Sequence, residues 1–141
     1  MRAFTGFISL LLLALGCALL PQAQRAEPGI IVIRNKSGRD VLEVRLANAS
    51  STPQHAIRHG SLAPVPQGVS QVVVRPTDAP PLAHEVDVSW TDSSGETWSA
   101  RVDLDEALGG ATGGPDLALV FELRPVGELR AHAEDRSVGG R

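Results

Sequence analysis

Apolar and polar residues alternate with a period of two in several short stretches of the chain, which is the pattern of half-buried β-strands. The clearest stretch runs from His84 to Leu104. Its two halves are joined by the three-residue turn Ser93–Gly95, which keeps the apolar faces matched. A register slip of one residue would turn every inward side chain outward. We therefore predict an antiparallel hairpin with the cross-strand pairs Trp90–Trp98, Val88–Ala100 and Val86–Val102.

A second hairpin is predicted near the C-terminus by the same argument. Its turn is Pro125-Val126-Gly127, in which proline fixes the first position and glycine the last. The apolar face on either side of this turn consists of Leu117, Leu119, Phe121, Leu123, Leu129 and Ala131.

A third hairpin is predicted near the N-terminus, where Ile31 and Ile33 would face Leu42 and Val44 across a short even-numbered loop such as Ser37-Gly38. A further strand, Val69 to Arg75, follows a turn rich in proline and glycine. These segments give about seven strands. The pattern predicts an all-β fold, a small antiparallel two-sheet sandwich of the immunoglobulin-like or transthyretin-like kind, with a small barrel as the alternative.

The pattern also divides the chain into three parts. Residues 1–26 form an export signal, residues 29–132 form the β domain, and residues 133–141 form a polar, glycine-bearing tail that we expect to be disordered.

The export signal combines Arg2 with an apolar run from Phe7 to Leu20, which is short for a membrane-spanning helix. Ala23 and Ala26 offer small residues for cleavage. Alternatively, the sequence ending at Cys17 resembles the lipobox of bacterial lipoproteins, in which the cysteine becomes the acylated N-terminus. The match departs from the lipobox at Ala14, where a large aliphatic residue is usual, so Cys17 either carries a lipid or lies inside a discarded signal.

Composition narrows the class of partner. The 141 residues include 13 basic and 16 acidic side chains, scattered along the chain, for a formal net charge of -3. A nucleic-acid binder would concentrate basic residues on one face, so no nucleic-acid partner is expected. Membrane contact is expected only through a lipid on Cys17. Because Cys17 is the single cysteine, the β domain has no disulfide.

The most suggestive pair of side chains is His55 and His59. The segment Thr52–Gly60 could form one short helical turn, with Thr52 as its cap and Pro53 in the first position. That turn would place both imidazoles on one face, at a spacing that suits a transition metal. A third ligand would have to come from elsewhere in the chain, and two exposed histidines in a polar loop is the competing interpretation.

The remaining polar clusters give no catalytic signature. We interpret Asp103, Asp105 and Glu106 as solvated charges, and the glycine-rich stretch 109–114 as a flexible linker. No nucleophile elbow or phosphate-binding glycine loop is present in the sequence. We predict that the protein is not an enzyme and carries no cofactor.

The sequence therefore favours an exported, non-enzymatic cell-envelope protein that binds an unknown envelope protein or ligand through its loops or an exposed sheet edge. The long segment Asn48 to Gln67 is the predicted recognition loop, with an irregular crossover between sheets as the competing interpretation. The alternative function is a periplasmic metal-binding protein that uses His55 and His59, and an enzyme of unrecognised type is the least favoured one.

Overall fold

The computed structural model describes residues 27–49, 58–62 and 64–137, and of residues 58–62 it describes the backbone alone. Strands predominate over helix in this part of the chain. The elements are β1 (Pro28–Asn35), β2 (Val41–Asn48), β3 (Arg58–Leu62), β4 (Ser70–Val74), β5 (Glu85–Asp92), β6 (Thr97–Asp103), α1 (Leu104–Leu108), β7 (Gly114–Leu123) and β8 (Leu129–Asp135).

The strands form two sheets. Sheet A has the order β4-β1-β7-β8, and sheet B has the order β3-β2-β5-β6. Only β1 and β7 pair in parallel among the described strands; the other neighbours are antiparallel. Seven strands have described side chains, four in sheet A and three in sheet B, and the short β3 extends sheet B. The predicted mostly-β fold with two sheets is confirmed.

One apolar core receives side chains from both sheets. Ile33 and Phe121 of sheet A and Val44 and Trp90 of sheet B are all buried in it. Sheet A also has a second apolar cluster on its opposite face, formed by Val32, Ala118 and Val120 with Ile30 packed against it. Strands β1 and β7 are therefore apolar on both faces, as near-continuous hydrophobic runs in parallel strands usually are.

Two of the three predicted hairpins are confirmed. Strands β5 and β6 pair with Trp90 opposite Trp98, in the predicted register. Strands β7 and β8 pair with Phe121 opposite Ala131. Both turns place their final glycine at positive φ, 85° at Gly95 and 73° at Gly127.

The predicted hairpin between β1 and β2 is wrong, because the two strands lie in different sheets. Ile33 pairs with Gln71 of β4 and with Phe121 of β7. Leu42, which was expected to face inward, is exposed beside a register shift between Val41 and Glu43. The apolar residues of β1 and β2 alternate in the same way whether the two strands are hairpin neighbours or face each other across the core from different sheets. The alternation alone therefore does not distinguish these two arrangements.

The buried side chain of Asn35 stabilises the crossover from β1 to β2. Its amide nitrogen donates to the carbonyl oxygens of Arg39 and Val65, each at 2.8 Å. Val65 in turn forms an isolated antiparallel bridge with Val41. The segment Asn48 to Gln67 is therefore not a single long loop, since it contains β3 and this bridge.

The acidic cluster after β6 has a structural role that the interpretation as solvated charges missed. The Asp103 side chain accepts hydrogen bonds from the amides of Asp105 and Glu106, and so caps α1. Gly109 ends the helix in the left-handed conformation, with φ of 56°. The glycine-rich stretch 109–114 therefore begins with the residue that caps α1 and ends with the first residue of β7. Further along the chain, β8 continues to Asp135.

Candidate functional site

Exposed apolar side chains concentrate at one border of sheet A. Five large hydrophobic side chains are exposed in the described part of the chain, and three of them lie on or directly before β4. Their exposed fractions are 45% for Val69, 46% for Val72 and 73% for Val74. Strand β4 is also the terminal strand of sheet A. We call Val69–Val74, with its outward main-chain groups, the β4 edge.

Main-chain geometry shows which groups of β4 face away from the sheet. The Arg75 amide donates to the Gly29 carbonyl oxygen at 2.8 Å, and the Val69 carbonyl oxygen accepts from the Asn35 amide at 3.0 Å. Residues of an antiparallel strand alternate in the direction of their main-chain groups. Ser70, Val72 and Val74 therefore point their N–H and C=O groups away from β1.

Val72 and Val74 continue rows of apolar side chains across the outer face of sheet A. Val72 lies beside Val32, which lies beside Val120. The neighbouring row runs from Val74 through Ile30 to Ala118. The apolar outer face of sheet A thus reaches its border at β4 without an intervening charged residue.

Two other terminal strands, β6 and β8, carry charged groups. On β6, the Arg101 guanidinium forms hydrogen bonds with Asp87 at 2.8 and 3.2 Å. The opposite border of sheet A, β8, carries Arg130 and Glu134 on its outer face. Charged side chains of this kind discourage the addition of a further strand. Strand β4, with the sequence Ser-Gln-Val-Val-Val, has no charge and no proline.

A cleft of about 520 Å³ opens at the end of β4. Its walls include Val74, Pro76, Pro81 and Pro115. Arg75, only 10% exposed, lies at its base, where it donates to a Glu27 carboxylate oxygen and to the Pro28 carbonyl oxygen, both at 3.0 Å. The guanidinium also donates to the Pro80 carbonyl oxygen at 2.6 Å. These bonds fix the end of β4, and the cleft walls are mainly aliphatic.

A network of charges lies on the outer face of sheet A, away from that cleft. The carboxylate of Glu122 is buried and lies 2.5 Å from the Lys36 ammonium, and 3.7 Å from both Arg34 and Arg124. The hydrogen bond from Lys36 is the main cause that holds the pKa of Glu122 below its ordinary value, against the opposing effect of burial. Glu122 therefore stays ionised at neutral pH and is unsuited to general-acid chemistry.

Glu134 belongs to the same network. Arg34 donates two hydrogen bonds to it, at 3.1 and 3.2 Å, and His132 lies 3.0 Å away. The hydrogen bond from Arg34 is the main cause of the lowered pKa of Glu134. Compensated charges of this kind stabilise the local structure.

A second cleft, of about 350 Å³, lies between the turns at the end of the two confirmed hairpins. Trp98 forms one wall, and its ring packs so closely on Gly127 that a Cβ there would meet the ring at 2.0 Å. Arg39 reaches Asp92 at 3.3 Å and Glu96 at 3.1 Å across the cleft. The hydrogen bond from Ser94 is the main cause that lowers the pKa of Asp92. Three of the charged groups of this cleft, Arg39, Asp92 and Glu96, therefore pair with one another.

The side chains predicted for metal or lipid chemistry lie outside the described part of the chain. Cys17 and His55 lie outside the described residues, as does the export signal. His59 lies in β3, so the helical turn predicted over Thr52–Gly60 is wrong at that end. The described residues contain no group of three or more His, Cys, Asp or Glu side chains that could hold a metal ion. The metal site at His55 and His59 stays a prediction.

The other two histidines of the chain make local contacts. His84 lies 2.8 Å from Asp105, beside the cap of α1, and His132 lies against Glu134. Trp90 is buried, which agrees with its prediction as a core residue. The β4 edge was not predicted from the sequence, in which its only signal is a strand without charged residues between two turns.

Comparisons with known proteins give no family for this chain. No family model and no curated protein matches it. A solved structure is similar over 83% of this chain and 97% of its own, the NMR structure of a protein from Eubacterium rectale, at 14% identity with a TM-score of 0.44. This likeness is too distant to assign a function. Among the described residues, no helix is long and apolar enough to cross a membrane.

Proposed function

We propose that this protein is an exported, non-enzymatic binding module of the cell envelope that acts through the β4 edge, by pairing with an extended strand of a partner protein. The observation that carries the proposal is the clustering of exposed Val69, Val72 and Val74 on a terminal strand without charge. The terminal strands β6 and β8 carry charged side chains instead.

Strand addition suits this geometry for two reasons. The outward N–H and C=O groups of Ser70, Val72 and Val74 supply main-chain hydrogen bonds, which give affinity. Alternate side chains of an added strand would lie beside Val72 and Val74 on the outer face, and the aliphatic cleft at the end of β4 could accept one of them. A partner strand rich in valine, isoleucine or leucine fits this surface best.

As the scaffold of this module, we propose a two-sheet β-sandwich of the transthyretin-like kind rather than the immunoglobulin-like kind. In the immunoglobulin arrangement the first two strands lie in the same sheet. Here β1 and β2 lie in different sheets, which nevertheless share one apolar core. A rigid pair of sheets of this kind holds the β4 edge in place.

Export by the signal in residues 1–26 is a separate part of the proposal. The intact mass of the mature protein from membrane and soluble fractions of its host tests it. A diacyl or triacyl adduct on a chain that begins at Cys17 would establish a lipoprotein. An unmodified chain that begins after Ala23 or Ala26 would indicate a freely diffusing exported domain, and an unprocessed chain in the cytoplasm would contradict export.

Binding at the β4 edge is tested with short fluorescent peptides of alternating valine and threonine, measured by anisotropy against the purified full chain. The matched control peptides carry N-methyl groups at alternate residues, which remove the amide donors while keeping the side chains. We expect the unmodified peptide to bind and the methylated peptide to fail.

Val72→Lys should weaken binding at least about tenfold, because a charge borders the added strand. Ser99→Lys, on the outer face of terminal strand β6, is the matched control and should change nothing. Equal binding of both peptides, or indifference to Val72→Lys, would contradict the proposal.

A further inference from the structure

The β4 edge is self-complementary about Val72. This residue is the centre of the five-residue strand and one of the three that point main-chain groups outward. If a second β4 approached in antiparallel orientation, the two Val72 residues would exchange both main-chain hydrogen bonds, and Ser70 of each strand would lie opposite Val74 of the other. No charged side chain would be brought against a like charge in this arrangement.

The side chains on the outer face also match across such an axis. The apolar row Val120–Val32–Val72 of one copy would continue into the same row of the second copy. The second copy would cover Val72 and Val74, the two most exposed of the three valines. A foreign peptide could cover the same side chains, but it would need a matching sequence, whereas a second copy carries it by symmetry.

The arrangement closes at two copies. Joining two four-stranded sheets through β4 gives one continuous sheet of eight strands with a β8 strand at each end. Strand β8 carries Arg130, Glu134 and Asp135, which oppose further addition of strands. An isologous contact of this kind forms a dimer and cannot extend into a fibre.

From these observations we infer that the chain forms a two-fold symmetric homodimer by antiparallel pairing of β4 with β4, centred on Val72. The inference rests on the proposed binding function of the β4 edge. It states that a second copy of the chain occupies this edge when no other strand is bound there. Because the paired segment is short, the dimer is weak and exchanges its copies, so a partner strand can compete for the same edge.

Sedimentation of the purified full chain across about 1 µM to 1 mM tests the inference, since small contacts fall in this affinity range. We expect a reversible monomer–dimer equilibrium. Val72→Lys places two ammonium groups opposite each other at the axis and should shift the midpoint at least about tenfold. Val72→Glu should do the same. An equimolar mixture of the two variants should recover the dimer, because each heterodimer carries one lysine opposite one glutamate.

A second pair of variants tests the dimer if a charged residue at position 72 prevents the chain from folding. In the inferred register, Ser70→Glu combined with Val74→Lys in one chain creates two complementary pairs across the axis and should preserve the dimer. Ser70→Lys with Val74→Lys creates two repulsive pairs and should abolish it. A monomer at all concentrations, a dimer indifferent to these changes, or the absence of rescue in the mixture would each overturn the inference.

The two proposals can fail separately. A dimer with the expected charge pattern but no binding of the valine–threonine peptide would support the homodimer and contradict acceptance of a foreign strand. Peptide binding by a chain that stays monomeric would support the β4 edge as a binding site and overturn the homodimer.

Discussion

The outer face of sheet A has an apolar centre, whereas the outer face of sheet B is polar. On sheet A, Val32 and Val120 are fully buried although they point away from the shared core. The corresponding positions of sheet B hold Ser89, Thr97 and Arg101, among others. The difference follows from pairing: sheet A has a parallel pair at its centre, and such strands are usually covered on both faces. Sheet B is wholly antiparallel and alternates apolar and polar residues.

The comparison also separates the terminal strands. Sheet B ends at β6, where Arg101 and Asp87 form an exposed cross-strand ion pair. Sheet A ends at β4, where exposed valines continue the apolar outer face. At its β4 border, sheet A therefore presents a surface suited to a further strand, which is the basis of both proposals above.

The largest expected effect comes from placing a charge on the outer face of sheet A. Val32→Asp buries a carboxylate without a partner and should destabilise the protein by more than about 3 kcal/mol. Ser89→Asp, on the outer face of sheet B and opposite Arg45, should stay within about 0.5 kcal/mol of the parent. Urea unfolding of both variants measures the free energies of unfolding. Equal losses in the two sheets would contradict the asymmetry.

The turns of the two confirmed hairpins give the next contrast. Gly127→Ala in sheet A should cost about 2–4 kcal/mol, because the new Cβ would meet the Trp98 ring at 2.0 Å and the position has positive φ. Gly95→Ala in sheet B also has positive φ but meets no atom within 4 Å, and should cost only about 1 kcal/mol. The two unfolding curves provide the comparison, and a costlier Gly95→Ala would show that the Trp98 contact yields easily.

Strand pairings between segments close together in the sequence were predicted correctly, whereas the pairing of distant segments was not. The β5–β6 and β7–β8 hairpins were predictable, because the turn chemistry and the parity of apolar positions both act within about twenty residues. The apparent β1–β2 hairpin failed because partner choice is non-local. The run Ile30–Ile33 is apolar at every position, which suits a strand covered on both faces, and this pattern pointed away from a simple hairpin.

The same reasoning explains what was missed at the candidate site. The lack of charge in Ser70–Val74 was visible in the sequence, but only the sheet order shows that this strand is terminal. Asp103 with Glu106 three residues later is a helix-capping pattern, and it predicts the start of α1 from the sequence. The predictions for Cys17 and His55 concern residues outside the described part of the chain and stay predictions.

Charge placement gives a pH-dependent contrast of intermediate size. The pKa of Glu122 is lowered in the folded state, so its ionised form stabilises the protein above the ordinary carboxyl pKa, and this contribution is lost as the pH falls through the folded pKa. Glu122→Gln should therefore lower the Tm at neutral pH and flatten the decline of Tm in acid. Asp87→Asn, which removes the exposed ion pair of sheet B, should change the Tm little. An unchanged acid decline in Glu122→Gln would contradict this role.

The smallest expected effect concerns the inward side of β4. The side-chain oxygen of Gln71 is buried beside Ile33 and has no hydrogen-bond partner among the described residues. Gln71→Leu removes this unsatisfied acceptor and should stabilise the protein by up to about 1 kcal/mol. Gln67→Leu, at an exposed position in the preceding turn, is the matched control and should leave the free energy of unfolding unchanged. Because Gln71 points inward, its replacement should leave the self-association of the chain unaltered, whereas Val72→Lys should weaken it. A loss of stability in Gln71→Leu would contradict this prediction, because it would show that the amide contributes more than the leucine side chain that replaces it.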